Sequence, residues 1–95
     1  MDYTGANTRW RRLREKCLAS GDGCCQNCAR YGKGVPATIA HHAWPAEDFP
    51  EYAYKRWNLV RLCKSCHDSM HDRNTRQLTA LGRYWKQKTP PPSPR

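Results

Sequence analysis

Asn58-Leu59-Val60-Arg61-Leu62-Cys63-Lys64-Ser65-Cys66-His67 is the stretch on which the fold turns. Its first five residues read as a second strand or an extended turn. Cys63-x-x-Cys66 follows, with the two-residue gap that lets both thiolates of a knuckle reach one ion. His67 is joined directly to the second cysteine, so the knuckle fixes where the next helix begins, near Cys66. That helix carries His67 and His71 four residues apart, hence on one face, where both can grip one metal ion.

Upstream, Cys25-Gln26-Asn27-Cys28 repeats the knuckle, and 34 residues separate Cys28 from Cys63. Two knuckles complete a four-thiolate site for zinc, which is a closed, structural kind of site. Cys24 could replace Cys25, but Cys25 gives the usual spacing. Cys17 is left as a small apolar core residue. The insert between the knuckles contains His41-His42, and the chain's four histidines all fall in two short clusters. Val35 to Ala40 reads as a strand, broken early by Pro36, whose end delivers that pair. Adjacent strand residues point to opposite sides, so one of the two can bind metal while the other reaches a water molecule.

Further outward the signals weaken. Residues 1–7 are polar and expected to fray. Thr8 is placed to cap a helix from about Arg9 to Ala19, with Trp10, Leu13 and Cys17 on one face. Residues 43–57 are Pro-rich and aromatic without a clear period; Trp44, Phe49 and Tyr52 are expected to pack over the core, and Trp57 to lie in the core rather than stack on a base. Glu47, Asp48 and Glu51 have no partner spacing and receive no role. Residues 75–88 suggest another helix through Leu78, Leu81 and Trp85, which Gly82 weakens. Residues 89–95 read as a Pro-rich, disordered tail.

The whole chain has 95 residues and 38% hydrophobic content, enough for one domain with a small core. Such a core needs a staple. No signal-peptide run or membrane-length apolar segment occurs, so a cytoplasmic protein with no membrane association is expected, with cysteines on zinc rather than in disulfides. The net charge is +9, from 17 Lys and Arg against 8 Asp and Glu. That excess favours a polyanion, with nucleic acid foremost. Arg11, Arg12 and Arg14 on the first helix would contact phosphates without reading sequence. Arg56 and Arg61 flank Asn58 and are candidates for phosphates near a reaction centre.

His41-His42, followed by the run Asn58 to His67, resembles the HNH endonuclease family, and in particular the small members encoded by phages and prophages. The resemblance covers about residues 8–88. It implies a small zinc-stapled α+β fold: a ββα-metal core at about 24–74, a basic helix at about 9–19 beside it, and a possible C-terminal helix, all in one nuclease domain over 1–88. It places His42 as general base, Asn58 as the residue that orients it, and His67 as a metal ligand. His41 stands where many members carry a metal-binding Asp. The double pair of histidines is similar to colicin-type bacterial DNases, which supports His41, His67 and His71 as three ligands. Imidazoles suit Mn, Ni or Zn better than Mg as the catalytic divalent ion.

The resemblance therefore implies hydrolysis of DNA phosphodiesters by nicking or double-strand cutting with little sequence selectivity. A monomer is expected, in a setting of phage DNA packaging with terminase proteins as partners. Two other readings remain: a non-catalytic, zinc-dependent nucleic-acid-binding module, and a phage assembly adaptor. The first needs the knuckles and the charge but not His41, His42, Asn58 and His67 together; the second implies a vestigial site, against which the intact His42 and Asn58 argue.

Overall fold

The computed structural model describes residues 8–92. Its elements in chain order are α1 (Thr8–Ala19), α2 (Gln26–Ala29), β1 (Ile39–His42), β2 (Leu59–Leu62), α3 (Lys64–Asp68) and α4 (Ala80–Lys88). Two 3₁₀ turns, Pro50–Tyr52 and Arg56–Asn58, lie between the strands. The expected frayed residues 1–7 and the end of the expected tail, 93–95, lie outside the described residues. Among the described residues no helix is long and apolar enough to cross a membrane.

The small α+β fold is organised by one two-stranded antiparallel sheet, in which His41 pairs with Val60 and His42 with Leu59. Alternation along the strands sorts the side chains to two faces. Ala40 and Leu59 meet Trp10 and Cys17 of α1 on one face, with Leu13 and Tyr54 packed against them. Val60 and Leu62 meet Cys25, Ala43, Met70 and Trp85 on the other. The sheet is thus sandwiched between the basic helix and the layer built by the cysteine knuckles and α4. Cys17 is the fully buried core residue expected of it.

Several elements differ from the sequence expectation, each for a local reason. Thr8 lies inside α1 rather than before it. The first strand starts only at Ile39, because the preceding segment pairs elsewhere. Cys25 N–H donates to the Val35 carbonyl at 2.6 Å, and Ala37 N–H donates to that of Gly23 at 2.9 Å. Pro36 sits in an isolated bridge with Cys24.

The third helix ends at Asp68, so it carries His67 but not His71. Thr79 takes the carbonyls that would continue it: its hydroxyl donates to the Ser69 carbonyl at 2.7 Å and its N–H to that of Met70 at 2.9 Å. Met70 is thereby drawn fully into the core. His71 stands in an isolated bridge with Leu78, and the residues between them form a loop that delays the last helix to Ala80. Thr79 caps that helix, its hydroxyl accepting from Gly82 N–H at 3.2 Å. Gly82 is required there, since a Cβ would overlap the Met70 carbonyl oxygen and crowd Leu78. Thr89, expected at the start of the tail, is part of the folded body. Its carbonyl accepts from Trp44 Nε1 and its hydroxyl donates to the Trp85 carbonyl, both at 2.7 Å.

Candidate active site and metal centres

The two knuckles converge. The sulfurs of Cys25, Cys28, Cys63 and Cys66 all lie within 4.8 Å of one another. Cys28 Sγ is 3.8 Å from Cys63 Sγ and 3.6 Å from Cys66 Sγ. A tetrahedron with Zn–S near ~2.3 Å has an S–S edge of about 3.8 Å, so the spacing fits that ion. Four thiols this close cannot all ionise without a cation among them. Burial and the three neighbouring thiols push the Cys28 thiol up to about 12. Coordination reverses such a penalty, because the ion stabilises the thiolates it binds.

The surroundings are arranged for the same purpose. Cys25 precedes α2 and its sulfur accepts from Cys28 N–H at 3.4 Å. Asn27 Nδ2 donates to Cys66 Sγ at 3.3 Å. The oxygen of the same amide accepts from Trp85 Nε1 at 2.9 Å, which ties the cluster to α4. Asn27 was not found from the sequence, since it is only one of the two spacer residues of its knuckle. Cys24 lies outside the cluster, its backbone N–H bonded to the Asp22 carboxylate at 3.0 Å. The four cysteines could hold a structural zinc ion.

The four histidines line a single cleft of about 820 Å³. His41, on β1, is only 2% exposed. Its Nε2 is fully buried and has no hydrogen-bond partner. Such an atom forfeits its hydration unless something else satisfies it. Its ring centroid is 5.3 Å from that of His67 and 5.7 Å from that of His71, each at an interplanar angle of 71°. Burial, helped by the neighbouring imidazoles, pushes the His41 pKa down to about 3. The ring is therefore neutral, with a lone pair available for a cation. Among the described residues only the cysteine group brings all its ligand atoms within 4.8 Å; the three imidazoles stand further apart. They are nevertheless gathered from three places in the fold: β1, α3 and the bridge that follows it.

His42 projects to the other face of β1. Its ring lies flat against Trp10, centroids 5.0 Å apart at 20°. Its Nε2 is 2.9 Å from the Ala53 carbonyl oxygen. A carbonyl can only accept, so Nε2 carries the proton and Nδ1 keeps its lone pair. Burial lowers the His42 pKa and so favours the neutral ring, while the bond to the Ala53 carbonyl acts in the opposite direction.

Asn58 is fully buried, and its amide bonds are made to the backbone of the inter-strand loop. Its oxygen accepts from Trp44 N–H at 2.7 Å. Its Nδ2 donates to the carbonyls of Trp44 at 3.0 Å and Tyr52 at 3.1 Å. The expected bond from His42 to the Asn58 oxygen is replaced by an indirect arrangement. Asn58 latches the loop, and the loop presents the Ala53 carbonyl to His42. Trp44, Phe49, Tyr52 and Trp57 pack along the same loop, with neighbouring ring centroids 4.9–6.0 Å apart.

The basic residues divide by role. Arg61 donates from Nε to the Cys24 carbonyl at 3.2 Å and from Nη1 to Ser20 Oγ at 3.0 Å, and lies 3.7 Å from Asp22. Arg56 also donates to Ser20 Oγ, at 2.7 Å. Both therefore fasten the end of α1 to β2, and neither lines the histidine cleft. On α1, the side groove is formed by Arg9, Arg12, Leu13, Lys16 and Tyr54, so Arg12 alone of the three expected arginines lines it. The helical spacing of Arg9, Arg12 and Lys16 was the signal that picks this face. The cleft itself is lined by Arg76, Arg83 and Lys86, along with Glu47 and Asp48. Arg76, Arg83 and Lys86 were not singled out from the sequence, and Glu47 and Asp48 were given no role, because only the fold brings them to the histidines.

The HNH endonuclease family model matches residues 25–73, which include all four clustered cysteines, His41, His42, Asn58, His67 and His71. No curated protein and no solved structure matches the chain. An HNH domain carries nuclease or nucleic-acid-binding function and implies DNA as the partner. With more than half of its residues inside that match and the knuckles folded into one cluster, the chain belongs to the HNH endonuclease family.

Proposed function

We propose that this chain is a metal-dependent endonuclease that hydrolyses DNA phosphodiester bonds with little sequence selectivity. One observation carries the reading. Neighbouring residues of a single strand place a buried, unpartnered imidazole nitrogen of His41 and a tethered, neutral His42 at the same cleft. A structural zinc module needs neither.

His42 acts as the general base, its Nδ1 taking a proton from the attacking water. The water oxygen bonds to phosphorus as the bond from phosphorus to the 3′ oxygen breaks. The departing 3′ oxygen takes a proton from solvent and His42 returns its own to solvent, so the products are a 5′ phosphate and a 3′ hydroxyl, as the family resemblance implies. The Ala53 carbonyl holds the Nε2 proton through the reaction, which keeps one tautomer facing the water. Trp10 holds the ring plane. His41, His67 and His71 would hold the catalytic divalent ion, whose Lewis acidity relieves charge on the phosphate and the departing oxygen. Their donor set favours Mn, Ni or Zn over Mg. Asn58 fixes the loop on which this depends. Arg12, with Arg9 and Lys16 beside it along the groove of α1, supplies sequence-neutral phosphate contacts. The described residues up to Thr89 form one nuclease domain that works as a monomer; the expected start of that domain at residue 1 lies outside them.

The test is supercoiled plasmid incubated with the zinc-loaded protein and Mg, Mn, Ni or further Zn, with EDTA and His42→Ala as controls. Metal-dependent relaxation that His42→Ala loses is the expected result. An intact plasmid with every metal, despite DNA binding, would leave the binding-module reading in its place. A setting in phage DNA packaging predicts that terminase proteins stimulate the cutting.

A further inference from the structure

Of the three cations on the cleft, two are engaged by the protein. Arg83 Nη1 donates to the Leu78 carbonyl at 2.9 Å, and Lys86 Nζ lies 4.6 Å from the centre of the Trp44 ring. Arg76 is exposed, and among the described residues its guanidinium has no protein partner. Neither Glu47 nor Asp48, the acids of the same cleft, forms an ion pair with it.

The backbone of Arg76 is unusual. Its φ of +62° is the only positive value at a non-glycine position among the described residues. A left-handed arginine is strained and persists only where the surroundings over-determine it. Here they do. The Asp72 carboxylate accepts from the N–H groups of Asn74 at 2.8 Å and Thr75 at 2.9 Å. Arg76 N–H donates to the Asp72 carbonyl at 2.8 Å, and Asp72 N–H to that of Gln77 at 2.7 Å. This cinched loop is anchored at both ends by the bridge between His71 and Leu78. Glycine would close the same turn without strain, so closure alone gives no reason for an arginine.

We propose that Arg76 is the phosphate-contacting arginine of the cleft, held in a strained backbone so that its guanidinium binds a non-bridging oxygen of the DNA phosphate beside His71. The proposal rests on the reading of this cleft as the DNA site. A guanidinium fork matches phosphate geometry, and its charge persists at any working pH.

The test uses Arg76→Gly and Arg76→Lys in protein carrying one equivalent of zinc and no other divalent ion, then with catalytic metal added. Arg76→Gly relieves the backbone and removes the cation. Its melting temperature is expected to rise by a few degrees. Its DNA affinity should fall on every sequence, with the log–log salt slope reduced by about one. Cleavage should fall by about 10²–10³-fold. Arg76→Lys keeps the charge, so it should keep the salt slope and part of the cleavage. An Arg76→Gly protein that melts higher yet binds DNA with the wild-type slope would assign the conformation to turn closure and overturn the proposal. If wild type cuts nothing with any metal, the nuclease reading fails alone, and the salt slope still decides whether Arg76 holds phosphate.

Discussion

Replacing Asn58 by Ala should unlatch the inter-strand loop before it affects any chemistry. The substitution removes three hydrogen bonds from a fully buried amide and leaves the Trp44 N–H and two carbonyls without that partner. A buried group left unsatisfied costs about 1–3 kcal/mol. Trp44 and Tyr52 are only half-buried, so water recovers part of this, and a total of about 2–4 kcal/mol is expected. For a domain of this size that lowers the melting temperature by on the order of 10–20 °C. Asn58→Asp should be at least as damaging, since it keeps the acceptor for Trp44 N–H but turns a carboxylate oxygen toward two carbonyls. The assay is thermal and urea unfolding of zinc-loaded protein, followed by tryptophan fluorescence, with plasmid cleavage measured where each variant is still folded. Trp44 and Trp57 lie in or beside the loop and report on it directly. If Asn58→Ala melts with wild type but cuts slowly, Asn58 acts on His42 itself and the latch is wrong.

Cys63→Ser should release the structural zinc and unfold much of the domain, because binding energy here is folding energy; elemental analysis and circular dichroism would show one tightly held zinc in wild type and neither metal nor fold in the variant. His42→Ala should lower cleavage by about 10²–10⁴-fold at unchanged zinc content and DNA affinity. By contrast, His41→Ala should lose the heat of binding of a second metal in a calorimetric titration. Gly82→Ala, which in an unobstructed helix stabilises by about 1 kcal/mol, should instead destabilise by about 1–3 kcal/mol through overlap with the Met70 carbonyl; a higher melting temperature would contradict the packing described. Arg9, Arg12 and Lys16 changed together to Ala should weaken binding to all DNA sequences and cut the salt slope by about three, and an unchanged slope would move the DNA away from this face of α1.

The parts of the molecule that were legible are those whose chemistry is local. A two-residue gap between cysteines fixes their geometry, so the choice of Cys25 over Cys24 and the pairing of the knuckles could be read from spacing. The direct junction of Cys66 and His67 placed one candidate ligand for the same reason. His71 shows where locality ends. Its four-residue offset from His67 suggested a shared helix, yet the two reach His41 from different elements, because Thr79 takes the carbonyls that would have continued α3. Asn58 bonds to partners other than the expected His42, since its bonds run to a loop with no periodicity to read. The cations of the cleft and the structural work of Arg56 and Arg61 left no sequence signal, because both depend on segments brought together only by folding.

The knuckles also act on the chain as a polymer. They pin both ends of a 34-residue segment that holds both strands, the aromatic loop and Asn58. Bringing together the ends of a loop of that length costs about 4 kcal/mol of entropy on the usual estimate, which zinc binding offsets as the domain folds. Closure entropy then grows only slowly, by about 0.6 kcal/mol for each doubling of the loop. Residues could therefore be added or removed between the strands at small thermodynamic cost, provided that Ala53 still reaches His42 and Tyr52 still reaches Asn58. The clamp thus makes the length of the loop a cheap variable, while the contacts of Ala53 and Tyr52 remain the fixed ones.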